Sequence, residues 1–221
     1  MSSPSSPTRG RPARLDRART VRTALVLLND SGLDALTMRR LADAMDVQAG
    51  ALYRYFATKQ DLLTAMAERM VDRVSDATGP TGNGDWSERA ARLARALRTA
   101  LLAHRDGARV FAGTHSTGPN TLGFADSLVG VLREAGFGDD EAARALYAVT
   151  SFTVGHTLEE QAALRPGDGE PADAGVLHEA VTAGTYPHLA ATLPVLTSTD
   201  FTAHFEFGLR LLLDGLRAVR R

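Results

Sequence analysis

The chain has 221 residues, of which 44% are hydrophobic and 23% are charged. This length suits one large domain or a small domain joined to a larger one, and the apolar content excludes a wholly disordered or collagen-like protein. Because the chain has no cysteine, disulfides, thiol nucleophiles, iron–sulfur clusters and thiolate zinc sites are excluded.

Charge is unevenly distributed along the chain, although the net charge is only −1. Residues 1–75 carry 12 Lys and Arg against 8 Asp and Glu, whereas residues 76–221 carry 13 against 18. This asymmetry is typical of a protein whose first part binds a polyanion. The sequence has no apolar run long enough to span a membrane and no signal-peptide pattern near its start. We therefore expect a cytoplasmic protein with no membrane partner.

The first part of the chain predicts a basic arm followed by four helices. Residues 1–14 are rich in Ser, Pro and Arg without periodicity, which is typical of a disordered arm. Apolar residues recur at steps of three and four from Leu15 to Leu28 and predict the first helix, which Asn29–Gly32 should end. Thr37 and Thr58 are N-cap candidates. The three further helices are expected after Thr37, over residues 49–55 and over residues 59–76.

The rest of the chain predicts a second helical unit. Residues 79–84 are rich in Gly and Pro and predict a connecting loop. A second loop is expected over residues 164–171. Helical patterns cover residues 86–104, 108–112, 120–135, 140–163, 175–183 and 200–220. Alternating strand patterns are absent, so we expect an all-α protein with an arm (1–14), a first domain (15–76) and a second domain (77–221).

Residues 36–56 have the pattern of a helix-turn-helix, in which two short helices joined by a tight turn place the second helix in the major groove of DNA. Its small core is predicted to contain Leu41, Ala42, Met45, Val47 and Leu52. The opposite face would offer cations for phosphates and neutral hydrogen-bonding groups, namely Arg39, Arg40, Arg54, Lys59, Thr37, Gln48, Tyr53 and Tyr55. Each of these residues taken alone would be ordinary solvated surface.

The segment LTMRRLADAMDVQAGALYRYFATKQDLL (residues 36–63) resembles the DNA-binding head of the tetracycline-repressor (TetR) family. The family's Leu-Tyr-x-x-Phe-x-x-Lys signature falls on Leu52, Tyr53, Phe56 and Lys59. The later segments LLAHRDGARVFAGT (101–114), 136–137 and FTVGHTLEEQ (152–161) also resemble the family. The resemblance implies a head of three or four helices, a helical body that dimerises through its last long helices, and repression relieved by a small molecule.

The resemblance also implies which positions contact DNA. These are Thr37, Met38, Arg39, Gln48, Ala49, Gly50, Ala51, Tyr53, Arg54, Tyr55 and Lys59. Asp46 lies where the turn of the family often has glycine, so an aspartate would have to adopt a left-handed conformation. Because Ala49, Gly50 and Ala51 carry almost no side chain, reading of bases would depend on Gln48, Arg54, Tyr55 and Arg39.

The arm contains Arg9-Gly10-Arg11-Pro12, which resembles the core of an AT-hook. Extended arginines of this kind can enter a narrow minor groove, where the potential is most negative. The alternative is a basic tail that attracts phosphates without regard to sequence.

The last predicted helix has an apolar seam formed by Phe205, Leu209, Leu212, Leu216 and Val219. These residues could be buried against other helices of the same chain. The resemblance favours instead a four-helix interface, in which this helix and residues 140–163 pack against their mates in a second copy. Two heads would then lie about one DNA turn apart, roughly 34–36 Å, on a near-palindromic operator.

The body departs from the drug-binding members of the family. The position of their magnesium-ligating histidine is Phe111, which has no lone pair for a metal. Other drug-contacting positions are Ser75, Leu93, Leu97, Leu128 and Ser151, whereas a threonine and a water-holding glutamate remain as Thr114 and Glu159. We therefore expect a mostly apolar ligand and no cofactor or metal. The predicted ligand-binding residues are Leu93, Leu97, Phe111, Thr114, His115, Leu128, Ser151, His156 and Glu159. Each could instead be ordinary helical core or surface.

The sequence thus predicts a ligand-responsive, homodimeric repressor that binds double-stranded DNA and releases it with a small-molecule effector. One alternative is a DNA-binding regulator without an effector. A small helical enzyme is the other alternative, but the chain has no glycine-framed nucleophile and no His-x-x-x-His metal pair. We therefore expect a protein that is not an enzyme.

Overall fold

A computed structural model describes residues 16–79, 85–164 and 174–219. The described residues form helices and turns and contain no strand. The helices are α1 (Arg17–Ala35), α2 (Met38–Ala44), α3 (Ala49–Leu52), α4 (Lys59–Met70), a 3-10 helix (Val74–Thr78), α5 (Trp86–Leu102), α6 (Gly107–Ala112), α7 (Pro119–Glu134), α8 (Asp139–Ala163), α9 (Ala174–Ala183), α10 (Pro187–Leu196) and α11 (Phe201–Val219). The prediction of an all-α fold is confirmed.

Side chains at the helix ends explain most of these boundaries. The Thr37 hydroxyl accepts a hydrogen bond from the backbone N–H of Arg40 at 3.1 Å. Thr58 and Asp61 form a capping box, in which each side chain accepts a hydrogen bond from the other residue's backbone N–H. Gly136 follows α7 with a φ of 93°, a conformation that glycine adopts without strain. These caps satisfy backbone groups that would otherwise lack partners at the helix ends.

The structure differs from the sequence predictions in α1, α3, α4 and α10. Helix α1 was expected to end within residues 29–32 but runs to Ala35, with a kink at Gly32, whose φ is 80°. Helix α3 ends at Leu52 and continues as a turn, and α4 ends at Met70 rather than near residue 76. Arg73 has a left-handed backbone with a φ of 65°, which an α-helix cannot contain. Helix α10 was not predicted, because Pro187 and Pro194 lie within ten residues. Pro187 occupies the first turn, where a proline is tolerated. The predicted arm and most of both predicted loops lie outside the described residues.

Two apolar cores divide the described residues into a head (α1–α4) and a body (the 3-10 helix and α5–α11). Leu28, Leu52, Phe56 and Met66 are fully buried in the head core. The body core is formed mainly by α5, α7, α8 and α11. Val110 of α6 lies in the head core although α6 also packs on α8. Helix α6 therefore joins the two cores.

Polar contacts around α6 and α4 fix the head on the body, and we call this region the junction. The Asp106 carboxylate accepts a hydrogen bond from the backbone N–H of Leu33 at 2.8 Å. Arg109 donates two hydrogen bonds to Asp34, at 3.0 and 3.1 Å. The Gln60 amide on α4 donates to the Gly113 carbonyl at 2.7 Å. The head therefore contacts the body through α1 and α4.

The seam of α11 lies mainly within its own chain. Phe205 and Leu209 are buried in the body core, with 0% and 1% of their surface exposed, and Leu213 is buried with them. The expectation that Phe205 and Leu209 contact a second copy is therefore wrong, because their side chains already pack on α5 and α8. A different face of α11 exposes Phe207 and Leu211.

The close packing at the start of α6 requires a glycine. A Cβ atom at Gly107 would overlap the carbonyl oxygen of Leu101, which is backbone and cannot move aside. Gly107→Ala should lower the free energy of unfolding by about 2 kcal/mol, as overpacking typically does. The matched control is Gly130→Ala on α7, where a Cβ meets nothing within 4 Å and should add about 0.5–1 kcal/mol of stability. Denaturant unfolding of both variants measures the difference, and equal stability would contradict the packing described here.

Candidate nucleic-acid interface and ligand cavity

The turn between α2 and α3 has the tight geometry that the sequence predicts. Asp46 adopts a left-handed conformation with a φ of 54°. The backbone N–H of Val47 donates to the Ala42 carbonyl at 3.1 Å, which closes the turn. Leu41, Ala42, Met45 and Leu52 are buried beneath it and Val47 packs against them. The predicted core of the helix-turn-helix is confirmed, and it holds α3 at a fixed angle to α2.

Most of the predicted DNA-contacting residues lie on the opposite face and are exposed. The exposed members are Thr37, Arg39, Arg40, Gln48, Gly50, Tyr53, Arg54 and Tyr55, and Ala49, Ala51 and Lys59 are partly buried. Met38 differs from the prediction, because its side chain packs in the head core with only 7% of its surface exposed. A side-chain contact from Met38 to DNA is therefore wrong, and only its backbone at the start of α2 remains available.

The cations of this face are available to a polyanion. Within residues 16–79, 85–164 and 174–219, no acidic side chain forms an ion pair with Arg39, Arg40, Arg54 or Lys59. Arg17 at the start of α1 donates a hydrogen bond to the Tyr55 carbonyl at 3.0 Å and lies over the Phe56 ring. The start of α1 is therefore held beside the turn that follows α3.

Glu68 connects α4 with the start of α7. Its carboxylate accepts hydrogen bonds from the Ser116 hydroxyl at 2.9 Å, the Thr121 hydroxyl at 2.7 Å, and the backbone N–H groups of Asn120 and Thr121 at 2.5 and 3.2 Å. Burial alone would raise the pKa of Glu68, but these hydrogen bonds lower it below its ordinary value. An ionised carboxylate at a helix N-terminus also interacts favourably with the helix dipole. Glu68 therefore links residues 116–121 of the body to α4 of the head.

The body contains a cavity of about 370 Å³ between the end of α6, α7 and α8, which we call the body cavity. Its lining is mostly apolar with several hydroxyl groups. The lining residues are Phe111, Thr114, His115, Ser116, Thr117, Thr121, Leu122, Phe124, Ala125, Leu146, Tyr147 and Thr150. The Thr150 hydroxyl is buried and has no hydrogen-bond partner within the described residues. A buried hydroxyl without a partner is unfavourable unless a ligand or water satisfies it.

The structure brings only three of the nine predicted ligand-binding residues to this cavity, namely Phe111, Thr114 and His115. Leu93, Leu97 and Leu128 are wrong as a pocket lining, because they are fully buried in the body core, where neighbouring side chains fill the space. Ser151, Glu159 and His156 do not line the body cavity.

Of the residues next to Ser151 and Glu159, only Thr150 reaches the cavity. Ser151 and Glu159 are exposed, whereas Thr150 lines the cavity and Glu160 is buried in an ion pair with Arg98 at 2.8 Å. His156 packs against Phe205 with ring centroids 5.3 Å apart. Burial lowers the pKa of His156, so its ring is neutral at neutral pH. His156 therefore packs in the body core, where its buried Nδ1 has no hydrogen-bond partner within the described residues.

Sequence reasoning missed the residues that α7 and α8 contribute to the body cavity. On α8, Leu146 and Tyr147 lie one turn before Thr150. On α7, Leu122 lies one turn before Ala125. This spacing was visible in the sequence. The sequence did not show which face of α7 meets which face of α8, because α8 carries apolar residues around most of its circumference.

Within the described part of the chain, no three His, Cys, Asp or Glu side chains come together in a way that could hold a metal ion. None of the described helices combines the length and apolarity needed to cross a bilayer.

Comparison with known proteins agrees with this geometry. Residues 21–66 match the model of the family "Bacterial regulatory proteins, tetR family", and residues 78–220 match "Tetracyclin repressor-like, C-terminal domain". The chain is 41% identical over 196 residues to the tetracycline repressor protein class A from transposon 1721 of Escherichia coli, covering 89% of this chain and 88% of that protein.

Two crystal structures from Streptomyces coelicolor are also similar. A possible TetR family transcriptional regulator is 85% identical, with a TM-score of 0.88, and the match covers 93% of this chain and all of that one. ActR in complex with actinorhodin is 32% identical, with a TM-score of 0.82, covering 93% of this chain and 98% of that one.

The exposed cationic face on a buried helix-turn-helix core, joined to a helical body with a cavity, defines a DNA-binding regulator. The chain belongs to the tetR family of bacterial regulatory proteins and is a transcriptional repressor of that family.

Proposed function

We propose that the protein binds a near-palindromic operator as a homodimer and releases it when a mostly apolar small molecule occupies the body cavity. The observation that carries the proposal is the face of α2 and α3, where Arg39, Arg40 and Arg54 are exposed without ion-pair partners within the described residues. DNA binding of this kind would place the protein in the cytoplasm with the chromosome, and it requires no enzymatic activity.

The junction supports a coupling between ligand and DNA. The body cavity is lined by Ser116 and Thr121, and both hydroxyls donate to Glu68 of α4. A ligand that contacts this segment would favour one position of α4 and therefore one spacing of the two heads. Differential affinity for two conformations typically couples sites by about 1–3 kcal/mol, which is enough to weaken operator binding severalfold or more.

The lining of the body cavity supports the proposed ligand class. Apolar and aromatic side chains predominate, and the hydroxyls of Thr114, Thr121 and Thr150 can orient one or two polar groups. Phe111 cannot ligate a metal. The related ActR has been crystallised with actinorhodin, so a body of this fold can hold an organic ligand. The cavity also favours this function over a regulator without an effector.

A second copy is supported by apolar surface that the chain does not cover itself. Phe207 and Leu211 are one turn apart on α11, and Tyr147 on the adjacent α8 is 75% exposed. Helices α9 and α10 pack mainly against each other and expose Val176, Val195 and Leu196. Exposed apolar residues on helices that pack together are typical of a subunit interface. Two heads held by one interface would meet two half-sites about 34–36 Å apart.

The DNA-binding proposal is tested with Arg39→Ala and Lys59→Ala, measured on a duplex selected from random sequences. Each variant should bind more weakly, and the slope of log affinity against log salt should fall by about one for each phosphate contact removed. Arg133→Ala, an exposed arginine at the far end of α7, is the matched control and should bind as wild type. Unchanged affinity in both head variants would refute the proposed interface.

The effector proposal is tested by a thermal-shift screen of apolar aromatic compounds, followed by operator release. Compounds that raise the Tm of the wild type should not raise that of Ala125→Phe, because the larger side chain fills the body cavity. Arg133→Ala should respond as wild type. Magnesium–tetracycline should not bind tightly in calorimetry, since Phe111 offers no metal ligand. Absence of any hit would favour the regulator without an effector, and tight binding of the chelate would contradict the proposed ligand class.

The dimer proposal is tested by placing a charge on the exposed face of α11. Leu211→Glu should produce monomers in sedimentation, because a buried unpaired carboxylate costs several kcal/mol. Val26→Glu on α1 is the matched control, since Val26 and Leu211 are equally exposed, at 57% each. The control should remain dimeric. A dimer in Leu211→Glu, or a monomeric wild type, would contradict the proposed interface.

A further inference from the structure

A second and larger cavity lies in the junction, on the other side of the 116–117 segment from the body cavity. It has a volume of about 640 Å³, within the range of about 300–1,000 Å³ typical of small-molecule sites. Helices α1 and α4 of the head form one side of it, and residues 116–120 of the body form the other. We call it the junction cavity.

The charges of the junction cavity favour an anion. Arg17, Arg22 and Arg69 line it, and Glu68 is its single acidic residue. Arg22 has no hydrogen bond or ion pair within the part of the chain that the structure describes. Arg69 donates Nη1 to Asp72 and retains its other N–H groups. Glu68, together with Asp72, which pairs with Arg69, offsets two of the three positive charges, and Arg22 is left without a partner within the described residues.

Glu68 offsets this preference only in part, because donors of the body already hold its carboxylate in place. Oε2 accepts hydrogen bonds from the Ser116 hydroxyl and from the hydroxyl and backbone N–H of Thr121. Oε1 accepts one from the backbone N–H of Asn120. A cationic ligand would have to displace them and would also meet three arginines. Glu68 therefore acts as part of the wall rather than as a ligand-binding group.

The rest of the lining is apolar or weakly polar. Ala18 and Val21 of α1, Ala65 of α4 and Pro119 at the start of α7 contribute most of the remaining surface. Small side chains from α1 and α4 leave the space open. An occupant with a hydrocarbon or aromatic body would remove this surface from water, while its acidic group met the arginines.

We propose that the junction cavity is a second ligand site, separate from the body cavity, that binds an organic anion with an apolar body, such as a medium-chain or aromatic carboxylate. An occupant contacts the head through α1 and α4 and the body through residues 116–120. It therefore acts on the position of the head directly. The two cavities share Ser116 and Thr117 as a common wall, so the two ligands influence each other.

The experiment uses octanoate as the probe and 1-octanol as its neutral counterpart, both measured by calorimetry on the full chain. The wild type should bind octanoate more tightly than octanol. The double variant Arg22→Gln/Arg69→Gln should bind octanoate about tenfold more weakly, a loss of about 1.4 kcal/mol, because it removes two charges that attract the carboxylate. Its affinity for octanol should be unchanged.

Two cavity-filling variants locate the bound anion. Ala65→Phe fills the junction cavity and should abolish octanoate binding, whereas Ala125→Phe fills the body cavity and should leave it intact. Arg133→Gln removes a distant arginine and should bind octanoate as wild type. Thermal unfolding of each variant confirms that it is folded.

Three results would overturn the proposal. One is unchanged octanoate affinity in Arg22→Gln/Arg69→Gln, and another is loss of binding in Ala125→Phe alone, which would place the anion in the body cavity. The third is loss of duplex binding by Arg22→Gln/Arg69→Gln without octanoate, which would assign these arginines to DNA phosphates. Each of these results would refute the second ligand site without refuting the proposed function, because the proposed function is tested at the body cavity and at the face of α2 and α3.

Discussion

The position of the head depends on a small number of hydrogen bonds to charged groups at the junction. Glu68 holds the start of α7, Asp106 holds the end of α1, and Arg109 pairs with Asp34. The carboxylates of Glu68 and Asp106 accept hydrogen bonds from backbone N–H groups that would otherwise lack partners at a helix end or turn. Losing either acceptor would leave those donors unsatisfied, so the contacts are favourable as a set rather than singly.

These contacts suit the movement of the head that is proposed above. Each hydrogen bond to a charged group contributes about 1.5–3 kcal/mol, and water can replace it when the groups separate. The apolar cores of the head and body have no such alternative, since exposing Phe56 or Phe205 to water has no compensating interaction. A movement of the head would therefore break the polar contacts of the junction before it opened either core, and the helix-turn-helix would keep its internal geometry.

The sequence predicted the local features and left the tertiary ones open. Thr37 and Thr58 were recognisable as caps because capping acts over three residues, and Asp46 was placed in its left-handed turn by the spacing of the family signature. The end of α4 was not predictable, because only the left-handed Arg73 separates it from the next helical turn. The exposed face of α2 and α3 was predicted almost completely, with Met38 as the exception.

The ligand cavity was predicted far less well, for a physical reason. Leu93, Leu97 and Leu128 were chosen by correspondence with drug-contacting positions, but leucines facing one another across α5 and α7 pack into a filled core. The open space lies instead beside Tyr147 and Thr150, and it depends on the rotation of α8 about its axis. Such rotations are decided by the whole set of packed side chains rather than by any one of them.

Val110 carries a consequence for how the molecule can be divided. This residue belongs to α6, more than thirty positions after the last helix of the head, yet only 1% of its surface is exposed and its neighbours are head residues. A head fragment that ended before α5 would lack this side chain and would have a hole in its interior. The head core is thus completed by a residue of the body, and separating the two by proteolysis or truncation would destabilise the helices that bind DNA.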